Sequence, residues 1–326
     1  MSRILKDKIT GPSAWIGAEL SKDTTWVHQL TGAEMNDLDN ALAQIKASGK
    51  SFPIFSKDDF RIPVLSETLA QLTKELENGR GFSVMRGLPV ERYTEDEINI
   101  IYYGIGLNLG LPVRQNPKGD LLGTVMNVGD LNDPATRVYE TNAYLPYHTD
   151  PSDVVGLLCI RKAMKGGVSS LVSVASVYNQ IRSEHPEYLE RFYQPWYYAH
   201  LGEDLPTPSP LFSYHHGKLA FRYLRQYIEL GHDMMTVPLS RMESDALDTF
   251  DAITNQEHLR LDMLMEPGDI QWANNYAVMH SRSGFDDFDD PDQRRKKLRL
   301  WLKMPNARSL APDFPGRNGF SAPDEI

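Results

Sequence analysis

Apolar positions recur at helical spacing through the first hundred residues and at strand spacing after about Gly123. Thr31-Gly32-Ala33-Glu34 reads as a capping box, in which each side chain satisfies a free backbone N–H of the other residue. It opens a helix with Met35, Leu38, Leu42 and Ile45 on one stripe, and Gly49 follows its end. Ser66 is placed to cap a second helix carrying Leu69, Leu72 and Leu76, with Gly79 as its stop. Phe82-Ser83-Val84-Met85, between glycines, predicts a short strand. Thr94 starts a third helix with Ile98, Ile101, Tyr102 and Ile105. Polar outer faces mark these helices as a layer packed on a sheet.

The strand-like runs that follow are Thr124 to Val128, Val154 to Ile160, Ser169 to Val174, Trp196 to His200, Lys218 to Arg225 and Leu259 to Met265. Turns separate them, several with Pro-Gly or Gly-Gly. Many short strands at this spacing predict a sandwich or jelly roll. Two helical stretches interrupt, one from Ser176 to Tyr193 and one opened by the capping box Ser240-Arg241-Met242-Glu243. The expected architecture is α+β and mainly β, in a single domain over 1–326. A helical layer and the first strands occupy 1–120, the β core with helical insertions 121–305, and a loosely ordered tail rich in Pro, Gly and Asp 306–326.

Composition narrows the class. An apolar fraction of 41% supplies a large core and argues against disorder. A net charge of −10 speaks against nucleic-acid and anionic-membrane partners. Cys159 is the only cysteine, so no disulfide forms within the chain, which fits a reducing cytoplasm. It reads as a buried apolar residue. Met1 to Asp7 lacks the apolar stretch of a signal peptide, and no run of 18 apolar residues exists to span a membrane.

Tyr147-His148-Thr149-Asp150 is the first chemistry-bearing stretch. A histidine and a carboxylate two residues apart in a strand point to the same face and can grip one metal ion. His280 is the candidate third ligand, delivered by a strand after the turn Pro267-Gly268-Asp269. Two imidazoles and one carboxylate make the facial triad of non-haem Fe(II) oxygenases, with coordination positions left open. H-x-D alone is a common chance pattern, and a buried histidine bonded to aspartate is its bland reading. A third piece is Arg294 to Leu302. Strand alternation sets Arg295, Lys297, Arg299 and Trp301 on one face and Leu298, Leu300 and Leu302 on the other. A buried arginine makes sense if a carboxylate meets it, because the guanidinium fork matches that group.

The order H-x-D, distal histidine, then arginine resembles the TauD/TfdA family of Fe(II)- and 2-oxoglutarate-dependent dioxygenases, on the clavaminate-synthase-like side. The resemblance covers roughly Asn142 to Leu302. It implies a double-stranded β-helix (jelly roll, cupin-like) core with flanking helices. It implies Fe(II), 2-oxoglutarate and O₂, with His148, Asp150 and His280 as metal ligands. Gly166-Gly167-Val168-Ser169-Ser170 is similar to the family's Gly-Gly turn, where a hydroxyl residue helps hold 2-oxoglutarate. Ser169 replaces the common threonine there, and Ser170 could substitute for it. The far carboxylate of 2-oxoglutarate would meet Arg295 or Arg299. The acidic loop Phe285 to Pro291 lengthens the spacing and leaves the choice open. Both cannot easily fork onto one carboxylate, since they lie about 13 Å apart along an extended strand.

Asn142 and Tyr144 share the parity of His148 and are candidate cavity walls, and Arg222 and Arg225 are candidates to meet a substrate anion. Tyr214-His215-His216-Gly217 reads as a surface turn between strands. Motifs for phosphate loops, dinucleotide folds, zinc proteases and serine hydrolases are absent. The expected activity is oxidative decarboxylation of 2-oxoglutarate to succinate and CO₂, coupled to C–H oxidation, usually hydroxylation, of a small organic molecule. A non-catalytic jelly-roll binding protein is the alternative. Asp150 argues against a halogenase, which generally needs a small residue there to admit chloride. A homo-oligomer is left open.

Overall fold

Residues 3–129, 140–200 and 202–320 are described by the computed structural model. The larger sheet has seven strands. Val27–Gln29, Phe82–Arg86, Ile270–Asn274, Val154–Arg161 and Lys296–Lys303 lie side by side in that order, and Lys296–Lys303 also carries Leu111–Pro112 and Leu122–Met126. The smaller sheet runs Arg260–Met263, Ser169–Ser173, Val278–Arg282, Leu145–His148, all antiparallel. Both ends of the chain therefore contribute to one sheet.

Three apolar clusters explain the layers. Phe82, Val155, Ala273 and Trp301 of the larger sheet meet Leu171, Leu261 and Val278 of the smaller one between the sheets. On the outside of the larger sheet, Ile270, Trp272, Leu298, Leu300 and Leu302 pack on helices Gly32–Ala47, Pro63–Asn78 and Glu95–Leu109. Outside the smaller sheet, Val172 and Met279 pack on helices Val174–Glu184, Pro186–Phe192 and Arg241–Thr254. The result is a jelly-roll sandwich with helices on both flanks. No helix among the described residues is long and apolar enough to cross a membrane.

Most sequence signals hold, and the departures have local causes. The capping boxes read at Thr31 and Ser240 form, and Thr94, read as a helix start, proves to make a third. Ser66 does not cap its helix, which starts earlier, at Pro63. The free N–H groups of Val64 and Leu65 are met by the Asp37 carboxylate of the neighbouring helix at 2.9 and 3.0 Å, and Ser66 Oγ bonds back to Ile62 O. The stretch Ser176 to Tyr193 is two helices, because Pro186 cannot donate into the first helix's ladder. Strand Lys218–Phe221 ends before Arg225, which opens a helix, Arg225–Met234. His216 and Gly217 both take positive φ in the hairpin before it, the turn expected from the sequence.

The tail departs most. Through Phe320 it is docked, not loose. Gly319 N donates to Pro151 O at 2.7 Å, Phe320 N to Arg114 O at 3.0 Å, and the Phe320 ring stacks on Trp301 at 6.4 Å. Residues 321–326, also expected to be tail, lie outside the described residues.

Pro267-Gly268-Asp269 makes the tight turn predicted for it. Gly268 has φ +88°, and a Cβ there would lie 1.9 Å from Leu88 O. Asp269 is buried, accepts both prongs of Arg86 at 2.9 Å, and takes the Glu266 N–H at 3.0 Å. Gly268→Ala meets both a left-handed backbone and a carbonyl that cannot yield. Stability should fall by about 1–3 kcal/mol. A urea midpoint unchanged from the parent protein would refute this account of the turn.

Candidate metal and co-substrate site

His148 and His280 are direct cross-strand partners in the smaller sheet, with ring centroids 4.2 Å apart. Asp150 reaches them differently from the expectation of one shared strand. The strand ends at His148, and Thr149 turns away by exchanging hydrogen bonds with Tyr223, at 2.8 and 3.1 Å. Asp150 N then donates to Asn275 Oδ1 at 3.0 Å, and Asn275 Nδ2 donates to Ser152 O at 2.9 Å. Asn275 sits in the connection between Ile270–Asn274 and Val278–Arg282, so the chain that delivers His280 also seats Asp150. One ligand atom from each of His148, Asp150 and His280 lies within 4.8 Å of the others.

The site's electrostatics fit a divalent cation. His148 Nδ1 lies 2.8 Å from Pro146 O, which makes Nδ1 the protonated nitrogen and leaves Nε2 with its lone pair free. His280 Nε2 is 3.6 Å from Asp150 Oδ2, a buried oxygen that accepts no hydrogen bond. Burial pushes His280 down to about 3, helped by neighbouring His148, and burial also lowers His148. Burial works to raise Asp150, but the neighbouring charge, the Arg299 guanidinium first, outweighs it and holds the carboxyl below its usual range. Two neutral imidazoles and one carboxylate oxygen with no donor are the donor set Fe(II) takes as a facial triad.

A cavity of about 490 Å³ opens from this triad between the sheets. Arg295, Arg282, Lys297 and Ser169 line it together. Arg295 and Arg282 are both buried, and both lie over the Phe285 ring, at 5.1 and 4.7 Å. Burial lowers them to about 10 and about 9. Arg295 Nη1 and Arg282 Nε and Nη1 have no hydrogen-bond partner. Lys297 Nζ donates to Ser169 Oγ at 2.9 Å. Arg299 differs: its Nε donates to Gln115 Oε1 at 2.8 Å, and its Nη1 lies 3.5 Å from Asp150 Oδ1. Elsewhere the wall carries Thr149, His200, Gln226 and Gln271 among apolar side chains that include Phe320 from the tail.

The remaining candidates fall outside the cavity. Asn142 precedes the ligand strand and contributes its backbone carbonyl to Phe285 N. Tyr144 is exposed and bonds Asn255. Arg225 is bound by Glu229, Asp248 and Asp251. Arg222 stands behind the wall, 2.5 Å from His200 Nε2 and 4.2 Å from the Tyr198 ring, and its neighbour His200 faces the cavity instead. Ser170 is tied to Asp262 on the other face of its strand. Sequence reasoning missed Arg282, His200 and Gln271. Arg282 shares the parity of His280, and Gln271 is a polar position inside an apolar strand, so both carried a readable signal.

Fold and site define a non-haem iron oxygenase of the jelly-roll type. The family profile "Taurine catabolism dioxygenase TauD, TfdA family" matches residues 42–301. The chain is 32% identical over 322 residues to FR-33289 synthase of Streptomyces rubellomurinus, covering 95% of this chain and 94% of that protein. It is 28% identical to taurine hydroxylase-like protein SAT17 of Stachybotrys chartarum, covering 91% and 80%. Asparagine oxygenase solved with Fe(II), 2S,3S-3-hydroxyasparagine and succinate shares the fold, with a TM-score of 0.67 at 16% identity over 85% of this chain and 93% of that one. So does the non-haem iron oxygenase OrfP with Fe and alpha-ketoglutaric acid, with a TM-score of 0.59 at 16% identity over 85% and 94%. The chain belongs to the TauD/TfdA family and is an Fe(II)- and 2-oxoglutarate-dependent oxygenase.

Because both ligand histidines are already neutral, protons should compete weakly for the site. Fe(II) affinity measured anaerobically at pH 6.0 and 7.5 should agree within a few-fold. Two histidines of ordinary pKa would lose roughly tenfold over that interval.

Proposed function

We propose that Arg295 is the anchor for the far carboxylate of 2-oxoglutarate, and that Arg299 instead supports the metal ligand Asp150. One observation carries the assignment. Arg295 is a buried guanidinium lining the cavity with Nη1 unpartnered and no carboxylate bonded to its side chain among the described residues. The Arg299 side chain is committed to Gln115 and, more loosely, to Asp150. Arg282 and Ser169 stand beside Arg295 and complete a polar end for that carboxylate. His148, Asp150 and His280 would hold the iron.

Iron with 2-oxoglutarate supplies oxidative decarboxylation to succinate and CO₂, coupled to oxidation of a C–H bond. The chain's own part is to orient and enclose. His148 Nδ1–H stays on Pro146 O, so Nε2 keeps its lone pair for the metal. The Phe320–Trp301 stack forms an apolar part of the wall that also carries Asp150. The primary substrate is a small polar molecule, and hydroxylation is the reaction. Support comes from the mixed wall, where Gln226 and Gln271 bring amides among leucines and His200 adds an aromatic face. His200 is held neutral, down to about 2, by burial and by the Arg222 cation behind it. Structures of the same fold hold hydroxylated asparagine and hydroxylated arginine, which are molecules of that size and polarity. The interleaving of both chain ends in one sheet supports a single domain. The free, buried thiol of Cys159 suits a cytoplasmic setting.

Arg295→Ala should weaken 2-oxoglutarate binding by roughly 10²- to 10³-fold, the loss expected for one partner of a buried charge pair. Arg299→Ala should leave that affinity nearly intact and impair iron retention and coupling. Anaerobic titration of each Fe(II)-loaded variant, followed by its weak visible charge-transfer band, separates them. A large loss in Arg299→Ala with none in Arg295→Ala would reverse the roles.

A further inference from the structure

Lys297 stands between Arg295 and Arg299 on the inward face of Lys296–Lys303, and nothing above gives it a task. It is buried and lines the cavity. Its ammonium has two partners, Ser169 Oγ at 2.9 Å and Met265 Sδ at 2.8 Å, and both are neutral. No carboxylate lies within ion-pair distance of it among the described residues. Its strand neighbours are Cys159 and Val125. A buried ammonium without a counter-charge either sheds its proton or awaits an anion.

We propose that Lys297 is a second anchor for the far carboxylate of 2-oxoglutarate, sharing it with Arg295 and receiving from it the counter-charge the fold omits. The inference rests on the Arg295 reading above. Geometry supplies the link. A carboxylate that meets Ser169 Oγ comes within reach of Nζ, which already touches that oxygen. Arg295 immediately precedes the strand Lys296–Lys303 and Lys297 lies two residues on, and both side chains line the same cavity.

Charge around Lys297 runs positive. Arg299 shares its strand face, Arg295 lines the cavity from just before the strand, and Arg282 lines it from the smaller sheet. The Cys159 thiol on the adjacent strand is pushed up by burial and stays neutral. Asp269 is held by Arg86 and Glu266 by Lys162 at the nearby turn. Burial first, then Arg295, brings the Lys297 ammonium down to about 7. Without co-substrate the amine is therefore mostly neutral above pH 7 and charged below it. A bound carboxylate raises it again. Binding then takes up a proton at pH 8 and almost none at pH 6, and 2-oxoglutarate affinity falls as pH rises through 7.

The experiment is anaerobic calorimetric titration of 2-oxoglutarate into Fe(II)-loaded full-length protein. Two buffers of different ionisation enthalpy give the proton count, at pH 6 and pH 8. The wild type should take up as much as one proton per 2-oxoglutarate at pH 8. Lys297→Met, which keeps length and burial, should take up none. It should bind roughly 10- to 100-fold more weakly at pH 6.5 and keep its Fe(II) affinity. Wild-type binding at pH 8 without proton uptake overturns the proposal, and needs no variant. So does Lys297→Met with wild-type affinity and uptake while Arg295→Ala loses affinity; Arg295 then stands as the anchor and Lys297 only packs. If Arg295→Ala itself binds normally, the carboxylate lies elsewhere and both readings fall.

Discussion

Arg282, Arg295, Lys297 and Arg299 bring four buried cationic side chains to the wall of one cavity in a β sandwich, where solvation is poorer than at the surface. Each unpaired charge costs several kcal/mol there. The strand Lys296–Lys303 can carry three of them in or beside it because its other face, past Lys296 at its start, is apolar. Leu298, Leu300 and Leu302 are buried against the helical layer, and each contributes about 1.5–3 kcal/mol. Gly106 makes room for this, since a Cβ there would lie 2.3 Å from Leu300 Cδ2. The outer face holds the strand in register, and the inner face is left free for charge. The site is therefore a consequence of alternation, with stability on one side of a strand and chemistry on the other.

The metal end is built on the opposite sheet by a different device. Ladder register, not sequence proximity, brings His148 and His280 together. Asp150 lies beyond the strand and depends on Asn275, whose amide oxygen receives its backbone N–H while its amide nitrogen bonds Ser152. Asn275 belongs to the connection from the larger sheet to the smaller. One crossover thus couples the turn at Gly268, the seating of Asp150 and the delivery of His280.

This explains what the sequence could and could not disclose. Period-two alternation in Arg295 to Leu302 was readable because it is a local property of one strand. Capping boxes were readable for the same reason. Asp37 capping the Pro63 helix was not, because the donor groups and their acceptor lie on different helices. The tail looked loose by composition, yet Pro151 and Arg114, far off in the chain, offer carbonyls to Gly319 and Phe320. Arg222 and Arg225 looked alike as cations near a strand end. Only the fold shows that one backs His200 and the other is spent on three carboxylates. Residues that act through local geometry were legible, and residues defined by a distant partner were not.

The two family arginines illustrate that limit, since four residues apart on one face they are equivalent in sequence. Their surroundings divide them. Gln115 receives the Arg299 Nε–H and returns a bond from its own amide to Arg299 O at 2.6 Å, so the guanidinium is fixed beside Asp150. That places Arg299 on the Oδ1 side of the carboxylate, while Oδ2 faces His280 without a donor. One oxygen is matched to a fixed cation and the other is left for a metal. The same contact helps keep Asp150 ionised despite its burial. An arginine already serving a carboxylate of the protein is poorly placed to fork onto a second one. Of the two, Arg295, whose side chain bonds no carboxylate among the described residues, is the guanidinium with that capacity left.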